Sequence, residues 1–450
     1  MNCKSIILLI VVLLFWGNAE ARKKKGKKVE EVQTESAYRK FFKGKACETA
    51  KGMITLHKMD GRVYFEIPLA LMGREMLMGS TISEITNNGF GSVGEKPKGL
   101  LYISFVRCDS VISLKQLTAQ YDTNEENLKQ RIKESTIPAT IKNLIYSLVR
   151  IIKNFKITTY NEDSTAVVID MTDYLVSADE AIDPFSPWAP ILAGGERVME
   201  KEFRRENSQV VSIKAFEDNV SVKSSLTYGL SLKNKVMYIF QREPFTAVMT
   251  RSFILLPEHP MRPRLADPRI AIFSQGVSVF NGDSRGAQAR YYAQRWNLEP
   301  KDMEQYRKGV LTEPKKPIVF YVDNTFPENW KKYIKEGVEV WQMAFEKIGF
   351  KNAIVARDFP VDDVTFDPDN LKYSCVRYSP SWVANAMGPS WTDPRTGEII
   401  NASVYLYHNL VKMVQNWRFI QTGPADANVR KIVFDEETLG ECIRYVVSHE

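Results

Sequence analysis

Short runs of alternating apolar and polar residues dominate the first two thirds of this chain, the period-2 signature of half-buried strands. Strands are predicted at Gly61–Ile67, Glu75–Ile82, Leu100–Arg107, Val111–Leu117, Ala166–Met171, Val210–Ala215, Val220–Tyr228, Val236–Phe240 and Ala247–Leu255. Pro68–Gly73 reads as a turn or short helix. One helix, Pro138–Asn154, interrupts the pattern, because Ile141, Leu144, Ile145, Leu148 and Ile152 recur at helical spacing. Such strands need a layered antiparallel sheet or a sandwich to bury their apolar faces. A small β-rich module over 36–92 and a larger one with one helix over 98–297 follow.

The pattern changes near Pro300. Ile318–Val322 is a continuous apolar run, as in a strand buried on both faces, and Pro327–Ile348 carries Ile334, Val338, Trp341, Phe345 and Ile348 on one helical stripe. Gly349 ends that helix, and short strands are expected at Ala353–Ala356 and Tyr373–Tyr378. Asp393-Pro394-Arg395-Thr396-Gly397 supplies turn chemistry for a hairpin over Ala384–Ser403, and Pro389 marks an edge strand because it cannot donate to a ladder. A helix over Tyr407–Thr422 and a loop over Gly423–Arg430 come next.

The last helix begins at Asp435, an N-cap residue followed by Glu436 and Glu437 in the first turn, where carboxylates meet the positive end of the helix dipole. Leu439, Cys442, Ile443 and Val446 form an apolar stripe, and His449 follows Val446 by three, so the histidine is expected to point inward. His449-Glu450 is the opening half of H-E-x-x-H. In that motif two histidines one turn apart hold zinc and the glutamate serves as general base. Read from the dipeptide alone, a buried structural histidine explains it as well.

Composition refines this picture. The 450 residues allow roughly three domains, and 44% hydrophobic content is ordinary for globular protein. Residues 1–21 read as a secretory signal peptide, with Lys4, an apolar run from Ile6 to Trp16 and Ala19-Glu20-Ala21 as cleavage site. No later stretch is apolar enough for a membrane helix, so a secreted or periplasmic location is expected. Arg22–Lys28 holds six of the net +7 charges within a basic leader, 22–35. That leader is either a solvated, disordered tail or a contact to an anionic surface. No basic stripe with interleaved aromatics follows it, which argues against nucleic acid as partner. Cys47, Cys108, Cys375 and Cys442 are too sparse for a disulfide scaffold, and Cys442 is expected in the core. His57, read as a surface-strand residue, and His259, in the proline-rich Pro257–Asp267, are assigned to no metal.

Longer stretches carry a resemblance. EPKKPIVFYVDNTFPENWKKYIKEGVEVWQMAFEKIGFKNAI from Glu313, ANAMGPSWTDPRTGEIINASVYLYHN from Ala384 and GECIRYVVSHE from Gly440 resemble a family of large secreted zinc-dependent metalloproteases of metzincin type from Bacteroidetes-like bacteria. VVIDMTDYL from Val167 and MRPRLADPRI from Met261 look like the second N-terminal module of that family. The resemblance implies an α+β multidomain chain: β-rich N-terminal modules, then the incomplete mixed α/β N-terminal subdomain of a peptidase over 300–450. It implies His449 as first zinc ligand, Glu450 as catalytic base, Ala386, Met387 and Gly388 as the strand lining the substrate cleft, and a protein or peptide substrate. His408 belongs to the family-like wording and is expected to be structural, against the active-site helix.

In the family the motif continues as H-E-x-x-H-x-x-G-x-x-H. The sequence stops before the second and third ligands, so the chain as written is expected to lack a complete zinc site and to be inactive. Two other readings stand beside this one. The β-rich region could be a noncatalytic module for a surface glycan or protein, joined to a remnant peptidase domain, or an inhibitory pro-segment over the cleft.

Overall fold

Among the described residues, thirteen strands are laid down before residue 256. They are β1 (Glu48–Ala50), β2 (Thr55–Met59), β3 (Arg62–Pro68), β4 (Glu75–Ile85), β5 (Leu101–Cys108), β6 (Val111–Gln116), β7 (Tyr121–Asp122), β8 (Arg150–Tyr160), β9 (Ala166–Asp170), β10 (Val198–Phe203), β11 (Gln209–Ala215), β12 (Asn219–Lys233) and β13 (Tyr238–Leu255). The computed structural model describes residues 35–119, 121–123, 125–128, 150–186, 189, 191, 197–282 and 286–450. The expected signal peptide and almost all of the basic leader lie outside these residues, as does the expected helix from Pro138 up to residue 149. Its last residues, Arg150–Asn154, are strand, the start of β8. There the ladder to β6 overrides the helical spacing.

All of these strands except β7 join one sheet, in the order β1-β2-β3-β9-β8-β6-β5-β4-β13-β12-β10, with β11 also on β12. Strands from 48–85 and from 101–255 therefore interleave: β3 pairs with β9, and β4 with both β5 and β13. The sheet curls until its ends meet, where Met53 N–H donates to the Phe216 carbonyl at 2.7 Å and Lys58 Nζ to the Val211 carbonyl at 2.6 Å. Curling hides edges that would otherwise invite pairing with another chain. A single core fills the interior, with Phe65, Phe105 and Phe253 fully buried. Two expected strands, Val236–Phe240 and Ala247–Leu255, prove to be one long β13, while Val236 itself is 86% exposed in the turn before it. Short helices α1 (Ala37–Phe42) and α2 (Thr172–Leu175) accompany this β body. His57, expected on a surface strand, is buried: its ring lies 3.0 Å from Glu66 and packs tilted against Phe42.

β14 (Ser274–Val279) and β15 (Gln288–Ala293) form a small sheet with β7, and α3 (Met303–Arg307) follows. The third sheet comprises β16 (Ile318–Val322), β17 (Ile354–Asp358), β18 (Ser374–Ser379), β19 (Ala386–Met387), β20 (Ser390–Thr392) and β21 (Ile399–Tyr407). Its order is β17-β16-β18-β21-β19, with β20 also on β21. β16, β17, β18 and β21 run parallel, and β19 and β20 run antiparallel to β21. α4 (Glu328–Glu339), α5 (Gln342–Lys347), α6 (Leu410–Thr422) and α7 (Glu436–His449) accompany the sheet. The expected single helix Pro327–Ile348 is thus divided at Val340–Trp341, where Trp341 Nε1 turns to the Ser448 carbonyl of α7 at 2.9 Å. Gly349, at φ +95°, ends it as expected.

The molecule is an α+β protein, rich in β structure. Residues 37–450 pack as one unit, and the hairpin β20–β21 fastens the α/β part to the β body. Trp391 is buried among Leu77, Tyr102, Ile254 and Leu256, and a Cβ on Gly79 would lie 2.6 Å from its ring. Arg395 reaches Glu75 at 2.6 Å and the Pro257 carbonyl at 3.0 Å. Among the described residues no helix is long and apolar enough to cross a membrane.

Candidate functional site

α7 forms where the sequence places it. Asp435 caps it, accepting from Thr438 N–H at 2.9 Å. Its buried side is Gly440, Cys442, Ile443, Val446 and Val447. The helix can approach α4 closely because each contributes a glycine. A Cβ on Gly440 would meet the Tyr333 ring at 2.1 Å, and one on Gly337 would meet Val447 at 2.8 Å. This contact carries the end of α7 to the open edge of the third sheet.

The edge itself is β19. Tyr407 N–H donates to the Asn385 carbonyl and Ser403 N–H to the Pro389 carbonyl, both at 3.4 Å, and Met387 faces Tyr405 between them. Antiparallel ladders alternate, so Ala386 and Gly388 turn their backbone N–H and C=O groups away from β21. No strand pairs with this outer side among the described residues. Ala386 buries its side chain, while Met387 and Gly388 are half-buried.

Glu450 lies against that outer side. A Cβ on Gly388 would sit 2.7 Å from the Glu450 carbonyl oxygen and 3.4 Å from its carboxylate, so only glycine fits there. Burial raises the Glu450 carboxyl above its ordinary value, and His449 and the Gly388 backbone N–H partly offset the rise. The structure thus brings together Glu450 and Ala386–Gly388, residues more than sixty positions apart in sequence.

His449 departs from expectation: it is exposed, not inward. The apolar stripe of α7 is covered through Val447, and Trp341 still reaches the Ser448 carbonyl, but the imidazole falls on the solvent side. A ligand-binding imidazole must be reachable, so exposure leaves His449 open to an ion. The donor set nevertheless does not fit a zinc site. Among the described residues no three His, Cys, Asp or Glu side chains converge, whereas catalytic zinc takes three protein ligands.

His408 contacts a different helix from the one expected. Its ring stacks on Trp330 of α4, 5.4 Å between centroids, and its Nδ1 lies 2.7 Å from the Tyr378 hydroxyl. Cys442 is a buried core thiol, as its stripe predicts. His259 is exposed.

One residue at this edge escaped sequence reasoning. Lys96 Nζ donates to the Pro389 carbonyl at 3.3 Å and lies 5.4 Å from the centre of the Trp391 ring. Its only sequence signal is a Glu-Lys-Pro-Lys-Gly loop, and nothing in that wording places it beside a strand nearly three hundred residues later.

Comparison with known proteins adds two matches. Residues 102–301 match a family described as a domain of unknown function, DUF5117, and residues 35–85 match another, DUF5118. Both lie before β16, so neither covers β19, His449 or Glu450. No curated protein and no solved structure matches the chain.

Proposed function

We propose that the chain carries the leading part of an exported zinc-dependent peptidase of metzincin type. Its α/β unit would supply the substrate-holding strand, the first metal ligand and the general base. One observation supports this reading most: Glu450, its carboxyl raised by burial, sits on the outward-facing backbone of Gly388. An extended peptide adding to β19 would take its main-chain hydrogen bonds from Ala386 and would meet the Glu450 carboxylate at the Gly388 N–H. Its carbonyl would then stand beside a carboxylate able to take a proton from attacking water, and a raised pKa suits a base working near neutrality. His449 would be one of three imidazoles required by the signature, and the described residues do not bring the other two.

The coding sequence beyond Glu450 tests the reading first. Histidines are expected at about the fourth and tenth positions after His449, with a glycine between them. Their absence would sink the peptidase reading and leave the β body, as a binding module, the leading account. In a protein that has them, Glu450→Gln is expected to lower turnover by about 100- to 10,000-fold, the usual range for a lost general base. Zinc content, measured by mass spectrometry, should be kept. Unchanged turnover would remove Glu450 from the mechanism.

A further inference from the structure

An open cleft of about 840 Å³ lies where the loop Glu95–Leu100 of the β body faces Pro389 and Ser390, the residues that continue β19 into β20. Three lysines line it, Lys96, Lys98 and Lys201, against one acid, Glu95. Their partners are unequal. Lys98 and Lys201 share Asp183, which is only 2% exposed, at 2.9 and 2.7 Å. Glu95 accepts from Ser92 N–H at 3.0 Å. Lys96 touches only neutral groups, the Pro389 carbonyl and the Trp391 ring, and forms no ion pair among the described residues.

Withdrawing an ammonium from water without a counter-ion is costly, and proteins ordinarily pair such a charge. Burial pushes Lys96 down to about 7, and no neighbouring charge contributes. An anion arriving at Lys96 would restore the missing partner. The cleft gives it a route, since it is open to solvent, has Phe185 as an apolar wall and reaches Pro389, the residue that follows Gly388.

We propose that this cleft is a subsite for a carboxylate of an extended peptide, with Lys96 as its cationic partner. The assignment rests on the β19 edge as the place where the peptide backbone lies. A chain paired outside Ala386–Gly388 and continuing toward Ser390 would bring a residue to the cleft mouth, where an acidic side chain or a chain-terminal carboxylate meets Lys96. A neutral amide of the same shape would leave the lysine uncompensated. The β body would then select substrates for chemistry performed on the α/β unit.

The test uses the full chain and blocked hexapeptides of alternating Thr and Val, in which each position in turn is Asp or Asn. Amide signals of Ala386 and Gly388 report pairing at the edge, and dissociation constants report the subsite. One Asp peptide is expected to bind about tenfold more tightly than its Asn twin, a typical value for a hydrogen bond to a charged group. Lys96→Met should abolish that preference. Should the variant fail to fold, the unmodified chain still decides, because the preference must shrink between about pH 6 and about pH 8.5 as Lys96 loses its proton. The other charged groups around the cleft are Glu95, Lys98, Lys201 and Asp183. A free-acid twin of the Asn peptide separates a chain-terminal carboxylate from a side-chain one. If the edge amides shift but Asp and Asn bind alike at every position, the subsite is overturned and the edge reading survives. If an Asp preference depends on Lys96 while the edge amides stay still, the subsite stands and the edge reading falls. If no peptide binds, both are overturned.

Discussion

The β body and the α/β unit bury their cores differently, and the contrast explains where the candidate chemistry collects. In the β body antiparallel strands curl until the segments around β2 and β11 touch, and aromatic rings fill the interior. Phe253 alone meets Phe65 at 5.5 Å and Phe105 at 6.2 Å between ring centres. In the α/β unit the parallel sheet stays open, and its antiparallel edge strand β19 leaves Ala386 and Gly388 facing outward. A closed sheet gives stability and little access, while an open edge gives access. The hairpin that carries the edge is anchored by Trp391 in the β body, so the accessible strand is held by the rigid one.

Each difference between the two regions can be tested. The largest effect is expected from Phe253→Ala. Removing a fully buried aromatic side chain should cost about 3–5 kcal/mol, seen as a lower midpoint in urea. If the loss also loosens the Glu450–Gly388 contact, the two regions unfold together and the contrast between them fails as a description of stability.

Next comes the ionic clasp between the regions. Asp369 meets Lys214 at 2.8 Å, Lys223 at 3.1 Å and Arg377 at 3.2 Å. Burial alone would raise its carboxyl, but Lys214, Arg377 and Lys223 outweigh burial and hold it well below the usual carboxylate range. Asp369→Asn should cost about 3 kcal/mol at neutral pH, as when one partner of a buried pair is removed. Because the folded-state pKa is depressed, this stabilisation is full above about pH 4, the unfolded carboxylate value, and fades as pH falls below it. Urea midpoints of wild type and variant should therefore converge in acid. A gap that stays constant with pH would show that the clasp acts through shape rather than charge.

The smallest effect is expected from Asp435→Ala, which removes the N-cap of α7. Hydrogen exchange should quicken in the first turn of α7, at Thr438 above all, and remain unchanged in β12 and β13. Faster exchange throughout the β body would mean that α7 helps to hold the seam.

Much of the fold could be read from periodicity because the interactions that form it are local. The strand Ile318–Val322 and the capped helix after Asp435 lie where expected, since an apolar run and an N-cap act within a few residues. Errors arose where distant partners decided. Arg150–Asn154 is strand because β6 pairs with it, and His57 is buried because Glu66 and Phe42 close over it. His449 is exposed although the apolar stripe of α7 leads up to it, because an apolar stripe does not encode what covers the last turn.

For the candidate site, the sequence determined which side chains the proposal rests on: an imidazole and a carboxylate at the end of a capped helix, and a glycine on a proline-marked edge strand. Tertiary structure decided that Glu450 meets Gly388, that Ala386 and Gly388 face outward, and that Lys96 lies at the neighbouring cleft with no ion pair among the described residues. The reason is physical. Side-chain type and helical or strand period follow from neighbouring residues, whereas burial, register and the pairing of charges depend on segments brought together across hundreds of residues by packing.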